Sequence, residues 1–342
     1  MTESKSSARS ATRSNTPRRH PIYNEVTDNH IHHGGVFHKY VAGVVLGLSQ
    51  SNIIAHNLIE QMPHHGINLG NCGYGRNIVE YNEVRHVCRE TADKGGINVW
   101  MEDPDGHVEP QAVRSGHVIR HNLVADIDES PSSGRPPDGE QGMPTFGIYL
   151  DNYASNCFVY GNIIVRTGAV GIDVQCGRNN LIENNIIVDT WCAAHFGGWW
   201  QPQMVGFMTG NHFCRNIFYS PASAPVLHRH IGFATEPLAD AIGRSDYNVL
   251  FGRGEPIVVE SSSPLSDVDD DAKAFPVWPQ VEEVSYTTWR ELGFEAHSIV
   301  ADPLFVDPEH DDYRLQPQSP ALKLGFQQID ASLIGPRPVQ AG

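Results

Sequence analysis

A short apolar pattern recurs along this chain. A glycine followed by apolar, variable and apolar residues begins at Gly43, Gly66, Gly96, Gly147 and Gly171, at intervals of 23, 30, 51 and 24 residues. After each comes a small or polar residue with two apolar ones, at Asn52, Asn77, His117, Cys157 and Asn180. A third set opens on asparagine, at Asn29, Asn57, Asn82, Asn122, Asn162, Asn185, Asn216 and Asn248. Alternation within four or five residues is the period of a strand. Three such strands in each 23-residue turn predict an all-β solenoid, a parallel β-helix whose coils bury apolar side chains only by stacking on one another. The recurring asparagines fit its corners, where asparagine tolerates left-handed backbone and its amide can bond the equivalent residue one coil away.

The pattern also divides the chain. Residues 1–21 are rich in serine, threonine and arginine and read as a disordered basic tail. The helix should occupy residues 22–253, and residues 254–342 read as an acidic loop, a short helix at Tyr286 to Gly293 and a segment closing the helix end. The 51-residue interval holds two coils' worth of chain and one recognisable strand set, so insertions fall at Met101–Ser115 and Asp126–Thr145. Loops that interrupt a regular solenoid tend to lie on its binding face. The coils begin at Ile22 without a capping element, which points to a missing upstream part. As written, the N-terminus lacks an apolar signal-peptide core, which predicts a cytoplasmic protein unless the upstream sequence is truncated.

Charge narrows the partners. The net charge is −16, and residues 1–20 hold five cations against one acid, which leaves −20 on the body. Such a body repels nucleic acid and anionic membranes. The six cysteines show no Cys-x-x-Cys spacing and read as reduced, packed thiols. His30, His32, His33, His64 and His65 lie at coil corners rather than in a metal-binding array, and the Asp267–Asp271 run lacks the spaced glycine of a calcium loop, so no cofactor is expected.

Aligning the glycine-led strands gives two outward columns. The first reads Val45, Asn68, Asn98, Tyr149, Asp173 and the second Gly47, Gly70, Trp100, Asp151, Gln175. Tyr149 and Trp100 are rings on which a sugar can stack, with Asn98 and Gln175 as hydrogen-bonding neighbours. Asp151 and Asp173 fall in adjacent coils, two residues apart along the strand, so their Cβ atoms should lie about 8 Å from each other. Carboxylates roughly 6.5–9.5 Å apart suit an inverting glycosidase. Asp93, just before its strand, approaches the same face from a corner, and Asp93 with Asp151 is the expected catalytic pair, Asp173 being the third candidate. An aromatic-rich turn at residues 191–210 adds His195 and Trp199 as substrate contacts, and Glu90 is a second-line acid.

The coils from Ile22 to Leu250, together with ADPLFVDPEHDDYRLQPQSPALKLGF at 301–326, resemble right-handed parallel β-helix proteins that act on carbohydrates. Among these the chain is similar to family-141-like glycoside hydrolases and, more remotely, to the pectate-lyase superfamily. The resemblance implies a saccharide lying across the coils and acids near an Asp-Gly-Gly-Ile turn and a Gly-Ile-Tyr-Asp-Asp strand. Here these match Asp93, with Lys94 at a position that is often small, and Asp151, with Asn152 in place of a second acid. The expected function is a glycoside hydrolase of plant or algal type polysaccharides. The alternatives are a polysaccharide lyase, with Lys94 as base and calcium at the substrate, and a noncatalytic glycan-binding helix.

Overall fold

The computed structural model describes residues 21–71, 74–91, 93–101, 116–127, 145–197, 207–220, 226–231, 242–252, 257–262 and 281–338. Three parallel sheets run the length of the molecule, and the chain visits each once per coil. The first sheet runs from Glu25–Thr27 to Arg244–Asp246, and the second from His30–His32 to Ile299–Val300. The third contains Val44–Gly47, Ile67–Gly70, Lys94–Trp100, Thr145–Asp151, Val170–Gln175, Cys192–Gly197, Val226–Ile231 and Val258–Ser262, with the antiparallel strand Val281–Ser285 at its edge. The fold is therefore a parallel β-helix, as the repeat predicts. Parallel stacking continues beyond position 253, through Val258–Ser262 and Ile299–Val300. Among the described residues no helix is long and apolar enough to cross a membrane.

The interior is built from columns of like residues. Ile54, Val79, Ile119, Val159, Ile182 and Phe213 line it from the first sheet, and Ile59, Val84, Val124, Ile164, Ile187, Phe218 and Leu250 from the second. The glycine of the repeat has a steric cause. A Cβ on Gly147 would stand 2.6 Å from the Gly171 carbonyl oxygen and 2.6 Å from Ile164 Cγ2, and Gly43, Gly66, Gly96 and Gly171 face similar obstruction. One coil later Ala193 occupies this column, which hides the next repeat from a glycine search. At the C-terminal end the helix Tyr286–Glu291, capped by Ser285, lays Trp289 over the interior against Phe294, ring centroids 4.0 Å apart.

The asparagines form ladders, with one correction to the corner geometry. Asn122 Nδ2 donates to Asn162 Oδ1 at 3.0 Å and the Asn122 backbone N–H donates to the same oxygen at 3.0 Å, and this pattern repeats from Asn29 to Asn216. The left-handed residue is the one before each asparagine: Asp28, His56, Tyr81, His121, Gly161, Asn184, Arg215 and Tyr247 have φ between 53° and 66°. The asparagine itself is turned inward, where its amide can stitch coils only if the preceding residue makes the bend.

A second correction concerns residues 301–338. They do not close the helix end. They run along the flank and cover an apolar outer face on the second sheet, where Ala125, Ile163, Val165, Ile186, Val188, Ile217, Tyr219 and Val249 pack against Phe305, Tyr313, Leu315, Phe326 and Ile329. The segment is pinned along its course by Arg166 to Asp311 (2.7 Å), Asn184 to the Gln327 backbone (2.6 and 2.9 Å) and the Gly335 N–H to the Tyr81 carbonyl (2.8 Å). It reaches the first coil where the Arg337 N–H donates to Asp28 (3.0 Å).

Candidate functional site

The outer face of the third sheet collects the polar residues picked out by the alternation. The observed register pairs Val45 with Asn68, Asn68 with Asn98, Asn98 with Tyr149 and Tyr149 with Asp173, while Gly47, Gly70, Trp100 and Asp151 follow one another two residues on. The column then continues through His195, Arg229 and Glu260. These last two escaped the sequence reading because the interval before them is irregular and Ala193 breaks the glycine signature. The alanine-for-glycine substitution, followed by alternating residues, was the signal available.

The face is polar but not open. Asn98, Asp173 and His195 are buried, Asp151 nearly so, and Tyr149 is only 3% exposed. Tyr149 therefore offers no free ring for stacking, contrary to the exposed platform expected from alternation alone. Its ring packs on Phe146 at 4.3 Å between centroids. Its hydroxyl lies 3.0 Å from Asp93 Oδ1 and 2.8 Å from Gln175 Oε1. Trp100 is half-buried and leans over Gly70, where a Cβ would stand 3.0 Å from its Nε1. Asn98 Nδ2 donates to Asn68 Oδ1 at 3.2 Å, while its own Oδ1 is buried with no hydrogen-bond partner among the described residues. Trp199 and most of both insertions lie outside the described residues. Glu90 stands apart, exposed and paired with Lys39 at 2.8 Å.

Three carboxyls and the Asp173–His195 pair set the electrostatics. Burial pushes Asp151 well above the ordinary carboxylate range, and the charge of Asp93 adds to the rise, with the Tyr149 hydroxyl opposing it. Asp173 is likewise raised well above its usual value, first by burial and then by Asp93. At Asp93 the crowding of protein atoms raises the carboxyl and the Tyr149 hydrogen bond lowers it. On balance the carboxyl stands above its ordinary value, while the residue itself reaches solvent, where water favours the ionised form. Asp93 is also set in left-handed backbone, φ 54°, at the corner where the strand begins. His195 Nδ1 is in hydrogen-bond contact with Asp173 Oδ1, and its Nε2 is buried without a partner among the described residues.

Other chemistry in the described residues is quieter. No group of three histidine, cysteine, aspartate or glutamate side chains is placed to hold a metal ion among them. His64 and His65 are buried against one another, and burial followed by the charge of Lys94 holds His64 down to about 4. Cys88, Cys157, Cys176, Cys192 and Cys214 are buried and form no disulfide with one another, and Cys72 lies outside the described residues.

The fold and this face together define a parallel β-helix with a carboxylate-rich cluster on the outer side of one sheet. No protein-family model matches the chain and no curated protein matches it. Among solved structures the chain is similar to the A-module of the mannuronan C-5 epimerase of Azotobacter vinelandii, with a TM-score of 0.46 and 12% sequence identity over 82% of this chain and 58% of that one. The chain thus spans little more than half of that module's length.

Proposed function

We propose that the protein is a carbohydrate-active β-helix enzyme, a glycoside hydrolase acting on a plant or algal type polysaccharide or oligosaccharide. The observation that supports this reading best is the division between two acids around one hydroxyl. Asp151, buried, is raised well above the ordinary carboxylate range and is the readier of the two to keep its proton, whereas Asp93, raised less, solvent-facing and bonded by Tyr149, is the readier to ionise. Glycoside hydrolysis needs that division: one carboxyl to protonate the departing oxygen, the other to activate water or attack the anomeric carbon. Gln175, half-buried beside Asp151, and Trp100, half-buried one coil away, offer contacts to the sugar.

One observation weighs against the lyase alternative: Lys94, the candidate base, is wholly buried.

The test is a screen of the purified protein on neutral and acidic polysaccharides, reading reducing ends together with ultraviolet absorbance. Hydrolysis releases reducing ends without the absorbance of a new double bond. Asp93→Asn and Asp151→Asn should each lower kcat by about 10²–10⁴-fold. Absorbing products, or full activity in both variants, would falsify this reading.

A further inference from the structure

Asp173 invites a role as a third catalytic acid, but its partner indicates another. It sits on the outer column one coil before His195, and the two residues are paired in register across the sheet. Its Oδ1 contacts the His195 Nδ1 directly, Asp173 is 1% exposed and His195 6%. The opposite ring nitrogen, Nε2, has no partner among the described residues although it too is buried. A buried ring nitrogen left unpaired loses the hydrogen bond that water would give it, which costs about 1–3 kcal/mol. A ligand oxygen on this face can supply that bond.

We infer that Asp173 is a positioning residue: it keeps its proton, donates it in a hydrogen bond to His195 Nδ1, and so holds the imidazole as the neutral Nε2–H tautomer, a donor aimed at an oxygen of the bound saccharide. This rests on the reading of the face as a saccharide site. The neighbouring charges agree with a neutral pair. Burial, then Arg229, hold His195 down to about 3 against the opposing Glu260, while burial and Asp93 raise Asp173. In the reverse arrangement, an ionised Asp173 accepting from Nδ1–H, Nε2 would be an acceptor and a charge would be stranded in the covered face.

The two arrangements are separable without substrate. Nitrogen-15 spectra of histidine-labelled protein between pH 5 and 8, with the His195 signals assigned by their loss in His195→Gln, should show an unprotonated Nδ1 and a protonated Nε2. A protonated Nδ1, alone or as imidazolium, overturns the inference. The kinetic arm uses two variants on whichever saccharide the protein hydrolyses. In Asp173→Asn the amide still donates to Nδ1, so kcat/KM should stay within about threefold of wild type, whereas Asp173→Ala should lose about 10- to 100-fold as the ring is released. A loss in Asp173→Asn as large as that in Asp93→Asn would mean that Asp173 works as an ionised carboxylate, and the inference fails. If no saccharide is turned over, it is the hydrolase reading that fails, and the spectra still decide the tautomer. If Asp173→Ala does not fold, the wild-type spectra and Asp173→Asn carry the decision.

Discussion

The Tyr149 hydroxyl, which also bears on the Asp151 carboxyl, has one proton between two close oxygens, Asp93 Oδ1 at 3.0 Å and Gln175 Oε1 at 2.8 Å. One proton cannot serve both. The consistent assignment turns the Gln175 amide so that its nitrogen donates to the tyrosine, which leaves the hydroxyl proton for Asp93. Tyr149 thereby lowers the Asp93 carboxyl, and Tyr149→Phe should let it rise. The acid limb of the pH–activity curve, where Asp93 ionises, should move to higher pH in that variant, and an unmoved limb would remove Tyr149 from the pair. Asp151 gives a stability prediction of opposite sense. Its folded-state value lies above its unfolded one, so its contribution is fully present below the unfolded value and is lost as pH rises towards the folded value. Asp151→Asn should therefore melt higher than wild type at pH 7, with the difference shrinking towards pH 4. Equal melting curves at pH 7 would show that the carboxyl is not held in a costly state. The alignment of these residues was legible from alternation, because one glycine marks the same point in each coil. Their burial was not, since alternation reports which way a side chain faces and not what covers that face.

At the level of the element, the asparagine ladder and the glycine column both answer the spacing of stacked coils. Asn122 donates to the Val79 and Arg120 carbonyls and to Asn162, and accepts from both nitrogens of Asn82. Replacing it with alanine strands several buried groups together, so Asn122→Ala should cost roughly 3–5 kcal/mol in urea unfolding. Asn29 lies at the open end of the ladder and is exposed, so Asn29→Ala should cost less than about 1 kcal/mol. Similar costs for the two would mean that the ladder does not act through burial. Gly147→Ala should destabilise by about 1–3 kcal/mol through overpacking, since its methyl meets both a neighbouring carbonyl and Ile164. The sequence revealed the ladder through sheer repetition. It misplaced the left-handed corner by one residue because asparagine is the usual occupant of that backbone state, whereas here the bend falls to the preceding residue, most often a tyrosine or histidine, and the ladder asparagine is spent on the interior.

Across the whole molecule, a solenoid's coils contact only their neighbours, so a bare β-helix should unfold as a chain of weakly coupled units. Residues 301–338 alter that expectation. They touch the second sheet from Val249 back to Ala125 and reach Tyr81 and Asp28, so one segment bears on coils far apart in the stack. The sequence marked this stretch by its regular turns but not its direction, because nothing local distinguishes an end cap from a brace along the flank. What distinguishes them is the apolar outer face beneath, written as Ile163, Val165, Ile186 and Val188. The consequence is measurable. Phe326 and Ile329 are buried in the brace, and replacing both with alanine leaves its pins at Asp28, Tyr81 and Asn184 in place while loosening the seam. The double variant should lose about 4–8 kcal/mol. More tellingly, its urea unfolding should separate into two transitions, followed by tryptophan fluorescence at Trp289 and by circular dichroism of the strands. A single transition displaced to lower urea would show that the brace adds stability without coupling the coils, and that cooperativity resides in the stacked interior.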